Sequence, residues 1–133
     1  MFRGPFAGDR ALADADLVIA EDLDGAWFPG WVGDVDGVPG AELAVGDPTW
    51  YADDPEAREG RMRVFSAAAD GALGADDALA ELRGASGERG FGDWFHGVGD
   101  LDGDGLDELV VNGRWFFDGP VAGVLTSADA DSS

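Results

Sequence analysis

An internal repeat limits the folds open to this chain more than any other feature of the sequence. The segment FRGPFAGDRALADAD at residues 2–16 matches FFDGPVAGVLTSADAD at 116–131, so that Phe117 follows Phe2 by 115 residues. A weaker copy, FSAAADGALGADDA, starts at Phe65. Tandem copies of this kind predict supersecondary units that bury a core against one another. We therefore divide one domain, residues 1–133, into a first repeat at about 2–64, a second at about 65–116 and the start of a further repeat at 117–131.

The local pattern of the sequence favours an all-β protein. Short apolar runs (LVIA, ELAV, MRVF, ELVV and RWFF) alternate with clusters of Gly, Asp and Pro. The segment DDALAELRG also fits a helical turn, although the phase of the repeat favours a strand or loop. Between two apolar runs, Asn112-Gly113 predicts a type I′ hairpin, because both central residues of that turn need a positive φ.

The other half of each repeat has aromatic residues at matching positions. WFPGWVGDVDGVPGAELAVGD, from Trp27, resembles WFHGVGDLDGDGLDELVVNG, from Trp94, if one residue is inserted, most simply Trp31. This alignment pairs Phe28 with Phe95. We interpret the recurring rings first as packing between sheets and second as a platform for a ligand.

Repeats that each contain several short strands are typical of β-propeller blades. A closed propeller has roughly four to eight blades of antiparallel strands, and this sequence holds about two repeats. We expect an incomplete propeller, completed by a longer array or by self-association with copies of the chain.

The segment DLDGDGLDE predicts a metal-binding loop. Asp100, Asp102 and Asp104 occupy positions 1, 3 and 5, Glu108 occupies position 9, and Leu106 at position 7 is placed to offer its carbonyl. Calcium takes six to eight oxygen ligands in flexible geometry, magnesium demands stricter geometry, and zinc usually binds His or Cys. An EF-hand is excluded, because its last carboxylate belongs at position 12. The alternative is an ordinary turn rich in Asp and Gly.

A second, weaker loop is present in the first repeat as DVDGVPGAE. It keeps Asp34, Asp36 and Glu42 at positions 1, 3 and 9, with Gly40 at the carbonyl position, but Val38 replaces the carboxylate at position 5. This loop is either a low-affinity calcium site or a metal-free turn.

Composition agrees with a cation-binding role and argues against a nucleic-acid partner. The chain has 28 acidic and 8 basic residues, a formal net charge of −20 and no cysteine. Nucleic acid is not expected as a partner of so acidic a chain. The charge fits divalent cations as partners, although charge alone is better explained by solubility. No apolar run is long enough to cross a bilayer.

These motifs resemble the FG-GAP repeat of integrin α-chain β-propellers, which is also found in bacterial surface and secreted proteins. Phe91-Gly92 stands at the FG position, GDLDGDGLDELVV at the calcium loop, and VGDP, from Val45 to Pro48, resembles the GAP element; the first repeat has Asp24-Gly25 instead of Phe-Gly. The resemblance implies an extracellular or cell-surface protein whose calcium loops brace its blades in a structural, adhesion or protein-interaction role.

Catalysis is not expected. His96 is the only histidine, and its acidic neighbours Asp93 and Asp100 could form an acid/base pair, but a lone histidine beside aromatic rings is more often packed in a β-layer. The alternative is that the chain is an accessory repeat fragment of a larger secreted hydrolase.

The first repeat also contains an insertion, DPTWYADDPEAREG. Trp50 and Tyr51, beside Asp53 and Asp54, could form an exposed patch for a protein or carbohydrate ligand, or the segment could simply cover the sheet.

Overall fold

The protein is built from short β-strands. The computed structural model describes residues 17–19, 28–66, 68–69 and 71–132, and this part contains ten strands and no α-helix. The all-β class predicted from the sequence is confirmed. The strands are β1 (Leu17–Ile19), β2 (Phe28–Trp31), β3 (Leu43–Asp47), β4 (Arg61–Phe65), β5 (Gly71–Leu73), β6 (Ala80–Arg83), β7 (Phe95–Gly97), β8 (Leu109–Val111), β9 (Trp115–Phe117) and β10 (Gly123–Thr126), with 3₁₀ turns at Ala75–Asp77 and Ser127–Asp129. Residues 2–16, Asp24-Gly25 and Trp27, which carry part of the repeat, lie outside the described residues.

The strands form three sheets. In the largest, the order is β10-β6-β4-β3-β2, and all neighbours are antiparallel except β10 and β6. β7, β8 and β9 form a three-stranded antiparallel sheet, and β1 pairs with β5 in a parallel pair. The described sheets do not close into a ring.

One pairing occurs twice. β1 runs parallel to β5 with Leu17 opposite Gly71, and β6 runs parallel to β10 with Ala80 opposite Gly123. Gly71 and Gly123 occupy matching positions of the sequence repeat, and each of their strands is followed by a 3₁₀ turn. The same local structure therefore recurs where the sequence recurs.

The main core lies between the five-stranded and the three-stranded sheet. Met62, Val64 and Leu82 on one side meet Leu109 and Val111 on the other, and all five are fully buried. A smaller cluster covers the opposite face of the five-stranded sheet; it consists of Leu43, Val45, Phe65 and Leu73. Each face buries alternate side chains of its strands, as the period of a β-strand requires.

Asn112-Gly113 forms a hairpin turn, as predicted, but the loop has three residues, 112–114, and not the two of the predicted type I′ hairpin. Asn112 and Gly113 both have positive φ (49° and 63°), and the Arg114 N–H donates to the Val111 carbonyl at 3.1 Å. Because Val111 pairs with Trp115, the connection between β8 and β9 consists of Asn112, Gly113 and Arg114. The segment DDALAELRG forms a 3₁₀ turn and β6, in agreement with the strand interpretation.

The position predicted for the inserted residue is wrong. β3 and β8 both begin directly after the last carboxylate of an acidic loop, and the third residue of each pairs with Pro29 and Phe95, respectively. Phe95 is thus equivalent in the fold to Pro29, and Trp94 to Phe28. The extra residue therefore lies before β2 and not at Trp31.

Candidate metal-binding loops

The second loop, residues 100–108, connects β7 to β8. Two backbone hydrogen bonds extend the pairing of β7 with β8 to the ends of the loop. The Val98 N–H donates to the Glu108 carbonyl at 2.9 Å, and the Glu108 N–H donates to the Gly99 carbonyl at 3.0 Å. Within the loop, Gly103 and Gly105 have φ of 83° and 95°. These left-handed conformations suit glycine and fold the loop tightly onto itself, as predicted.

Backbone N–H groups fix the carboxylates of the second loop. Asp100 accepts from the N–H groups of Gly103 (2.6 Å) and Gly105 (2.8 Å), and Asp102 accepts from that of Asp104 (2.9 Å). Glu108, which is buried, accepts from the Leu101 N–H at 2.6 Å. Asp104 in turn accepts from the Leu106 N–H at 2.8 Å. The acidic side chains are therefore held in place by their own loop.

The four predicted carboxylates converge. Asp100, Asp102, Asp104 and Glu108 can each offer one oxygen such that all four atoms lie within 4.8 Å of one another. Calcium–oxygen distances are about 2.3 to 2.6 Å, so oxygens on opposite sides of one ion lie about 5 Å apart. The cluster therefore has the size of a single calcium coordination sphere and contains only oxygen donors.

The first loop, residues 34–42, has the same architecture. Its base is closed by the same two backbone hydrogen bonds, here between Val32 and Glu42 (3.0 Å) and between Glu42 and Gly33 (2.9 Å). The Val35 N–H donates to the buried Glu42 carboxylate at 2.7 Å, which matches the contact of Leu101 with Glu108.

The first loop also brings its acidic residues together. Asp34, Asp36 and Glu42 offer oxygens within 4.8 Å of one another. At the fifth position, Val38 is half exposed and supplies no carboxylate. The first loop thus repeats the geometry of the second with one charged ligand fewer. Nothing in the arrangement tests the predicted carbonyl donors Leu106 and Gly40, which remain predictions.

Sequence inspection missed the residue that joins the two loops. Asp107, half-buried, accepts a hydrogen bond from the Asp34 N–H at 2.9 Å, and its own N–H donates to the Asp34 carbonyl at 2.8 Å. The Val121 N–H also donates to the Val35 carbonyl at 2.8 Å. Because Asp107 is one of many acidic residues outside the alternating ligand positions, only the packing of the two sheets reveals its role.

The second loop concentrates negative charge. The Asp104 N–H by itself lowers the pKa of Asp102, but partial desolvation and the charges of Asp104, Glu108 and Asp100 outweigh it and raise that pKa above its ordinary value. Desolvation, together with Asp131 and the acidic residues of the loop, likewise raises the pKa of Asp118. Asp118 therefore lies close enough to the second loop to add to its field, although it was not among the predicted residues.

The insertion does not behave as one exposed patch. Trp50 is half-buried, and the guanidinium groups of Arg61 and Arg83 lie over its ring, at 5.1 and 5.0 Å from the centroid. Tyr51 is 44% exposed. Trp50 therefore covers the charged end of the five-stranded sheet, as the covering-loop interpretation predicts, whereas Tyr51, Asp53 and Asp54 are exposed.

The aromatic residues at β2 and β7 divide into buried and exposed rings. Phe95 packs in the core, whereas Phe28 and Trp94 are each 46% exposed. His96 is exposed on β7, with its ring 5.4 Å from that of Trp94, so the prediction that it is packed in a β-layer is wrong. Within the described residues, no hydrogen bond joins His96 to Asp93.

Comparison with known proteins adds no relative. No protein family model matches the chain, and no curated protein matches it. Among the described residues, no helix is long and apolar enough to cross a membrane.

Proposed function

We propose that this chain is a calcium-binding, non-catalytic module of FG-GAP-like β-propeller blades, with a structural, adhesion or protein-interaction role outside the cell. This proposal rests on the convergence of four carboxylates in the second loop, those of Asp100, Asp102, Asp104 and Glu108. The backbone hydrogen bonds of this loop recur in the first loop. Four converging carboxylates repel one another in the absence of a cation, and this favours a metal site over a metal-free turn rich in Asp and Gly.

Calcium fits these loops better than other common cations. All donors are oxygens, three of them on exposed residues, whereas zinc usually requires His or Cys and magnesium requires near-octahedral geometry. Bound calcium would supply positive charge where four carboxylates repel one another. Its role in this proposal is to fix the connection between β7 and β8.

Propeller architecture is supported by how the two sheets meet. Each contains consecutive antiparallel strands with an acidic loop between the first two, and they pack face to face over one core. Two blades do not close a ring, so the proposal requires further blades from a longer chain or from other copies.

A calcium titration of chelator-treated protein tests the proposal. Saturating calcium, at about 100 times Kd, stabilises a folded protein by about 2.7 kcal/mol, which raises Tm by several degrees for a domain of this size. Asp102→Ala should remove most of this gain, Asp36→Ala should remove less, and Asp76→Ala is a matched control that removes an exposed carboxylate outside both loops. Magnesium at the same concentration should give a smaller shift.

Two results would contradict the assignment. Absence of both binding heat and a Tm shift would exclude calcium as the ligand, and equal losses in all three variants would show a general charge effect. Solution mass with and without calcium tests the assembly separately: a calcium-dependent oligomer supports completion of the propeller by copies, and a stable monomer contradicts it.

A further inference from the structure

A cleft between β2 and β7 is not explained by the calcium-binding role. Its volume is about 290 Å³, and it lies on the surface where the five-stranded and three-stranded sheets meet. We call it the aromatic cleft; its main residues are Phe28, Trp31, Asp93, Trp94, Phe95 and His96.

Large rings are exposed in the aromatic cleft without any covering segment among the described residues. Phe28 and Trp94 are 46% exposed, and Trp31 is 54% exposed. Pro29 and Phe95 occupy equivalent positions in their two sheets. Phe28 and Trp94, which precede them, are therefore equivalent as well. An aromatic ring is thus presented to solvent at the same position of both repeats, and both rings line one cleft.

The fold fixes Trp94 before any ligand arrives. The backbone N–H of Trp94 donates to the side-chain oxygen of Asn112 at 3.3 Å, and its backbone carbonyl accepts from the backbone N–H of Asn112 at 2.8 Å. Its ring lies over Gly113, where an added Cβ would come within 2.6 Å of the indole. Phe95 forms a buried floor against Gly30. Such preorganisation lowers the entropic cost of binding.

The acidic group of the cleft, which His96 also lines, is the unpaired carboxylate of Asp93. Asp93 is exposed, and within the described residues its carboxylate makes no hydrogen bond and no ion pair. Asp93 and Phe28 also line an adjoining concavity of about 280 Å³ together with Pro48 and Thr49. No arginine lines either space.

Charge determines which ligand fits. The faces of aromatic rings attract cations, and quaternary ammonium groups are bound in this way by sets of aromatic side chains. Here the rings line the same cleft as the Asp93 carboxylate, on a chain with a net charge of −20, so an anion is repelled and a neutral ligand gains nothing from the field. The volume is near the lower end of small-molecule sites, which suits one head group.

From these observations we propose that the aromatic cleft binds an alkylammonium cation, with Trp94 and Phe28 contacting its alkyl groups and Asp93 facing its charge. The site is separate from the acidic loops, so this proposal does not depend on calcium binding.

Choline and 3,3-dimethyl-1-butanol are a suitable pair of probes, because they have the same shape and only choline is charged. Binding to the full chain is measured by calorimetry and by tryptophan fluorescence, with saturating calcium present so that the acidic loops are occupied. Choline should bind at least tenfold more tightly than the neutral alcohol. Trp94→Leu should weaken choline binding by roughly threefold to thirtyfold, from the range of cation–π energies. Asp93→Asn should weaken it by up to about fivefold, from the range for exposed ion pairs.

Two matched controls separate the cleft from general effects. Tyr51→Ala removes an exposed ring elsewhere, and Asp76→Asn removes one exposed negative charge elsewhere. Both should leave choline binding unchanged. A peptide carrying trimethyl-lysine, compared with free choline, distinguishes a protein-borne cation from a free one.

Several outcomes would overturn the proposal. Equal binding of the charged and neutral probes, preferential binding of a sugar such as maltose, or the same loss in the control variants would each do so. If no probe binds and Trp94→Leu instead abolishes a dimer, the rings are a contact between copies and not a cation site.

Discussion

Replacing Asp107 tests whether the two acidic loops depend on each other. Its carboxylate accepts a hydrogen bond from the Asp34 N–H at 2.9 Å, in a half-buried contact between segments 73 residues apart in the chain. Asp107→Ala leaves that N–H without its acceptor. Asp107→Asn keeps a side-chain oxygen that can accept the same bond, and both variants remove the same single charge.

The difference between these two variants therefore isolates the hydrogen bond. A hydrogen bond to a charged group contributes about 1.5 to 3 kcal/mol, and an unsatisfied buried donor costs about 1 to 3 kcal/mol. Since the contact is only half-buried, we expect Asp107→Ala to lower the free energy of unfolding by about 1 to 2 kcal/mol. For a domain of this size that corresponds to a Tm lower by about 4 to 8 °C. Asp107→Asn should lose less than half as much, because its side-chain oxygen still accepts the hydrogen bond, whereas relief of repulsion near the second loop is common to both variants.

Urea unfolding followed by tryptophan fluorescence, in chelator and in calcium, measures both variants under the same conditions. Asp76→Asn serves as the control for loss of one negative charge. If Asp107→Ala and Asp107→Asn differ by less than about 0.5 kcal/mol, the precision of such measurements, the contact does not couple the loops and the argument is refuted.

Two further predictions concern the hydrophobic core and the ion pairs that Glu81 forms with Arg63 and Arg83. Phe91 is fully buried with its ring 5.2 Å from that of Trp115, so Phe91→Ala should lower the free energy of unfolding by about 3 to 5 kcal/mol; a urea denaturation loss below about 1.5 kcal/mol would contradict this packing. Burial by itself raises the pKa of Glu81, but hydrogen bonds from Arg83 and Arg63, with their charges, outweigh it and lower that pKa. Its stabilisation is therefore present above the ordinary glutamate pKa and lost as pH falls through the lowered value. The Tm gap between the wild type and Glu81→Gln should close over that acidic range, and a gap that stays constant with pH would argue against it.

Strand identity and loop chemistry could be predicted because they depend on local sequence. Apolar runs between Gly, Asp and Pro clusters identified strands such as β3, β4, β8 and β9, and Asn112-Gly113 identified its hairpin from the requirement for positive φ. The spacing of Asp100, Asp102 and Asp104 likewise determines which carboxylates lie close together. These features need no knowledge of what packs against them.

Contacts between distant segments could not be predicted in this way. Asp107 contacts Asp34 across the boundary between two sheets, and Trp50 contacts Arg61 and Arg83 on neighbouring strands. Each residue is unremarkable in its local sequence. Their roles follow from which strands become neighbours, and that depends on the packing of the whole chain.

The error in aligning β2 with β7 shows how one residue changes the environment of a strand. Side chains alternate between the two faces of a sheet, so a shift of one residue exchanges inward and outward positions. Matching Phe28 to Phe95 predicts two buried rings, whereas the strand pairing matches Phe28 to Trp94 and leaves both exposed. Sequence similarity favoured the first match because both repeats contain the pair Trp-Phe, yet hydrogen-bond register is set by the acidic loops that end at Glu42 and Glu108. The loops therefore do more than gather carboxylates: by fixing the register of the strands that flank them, they determine which aromatic rings reach solvent.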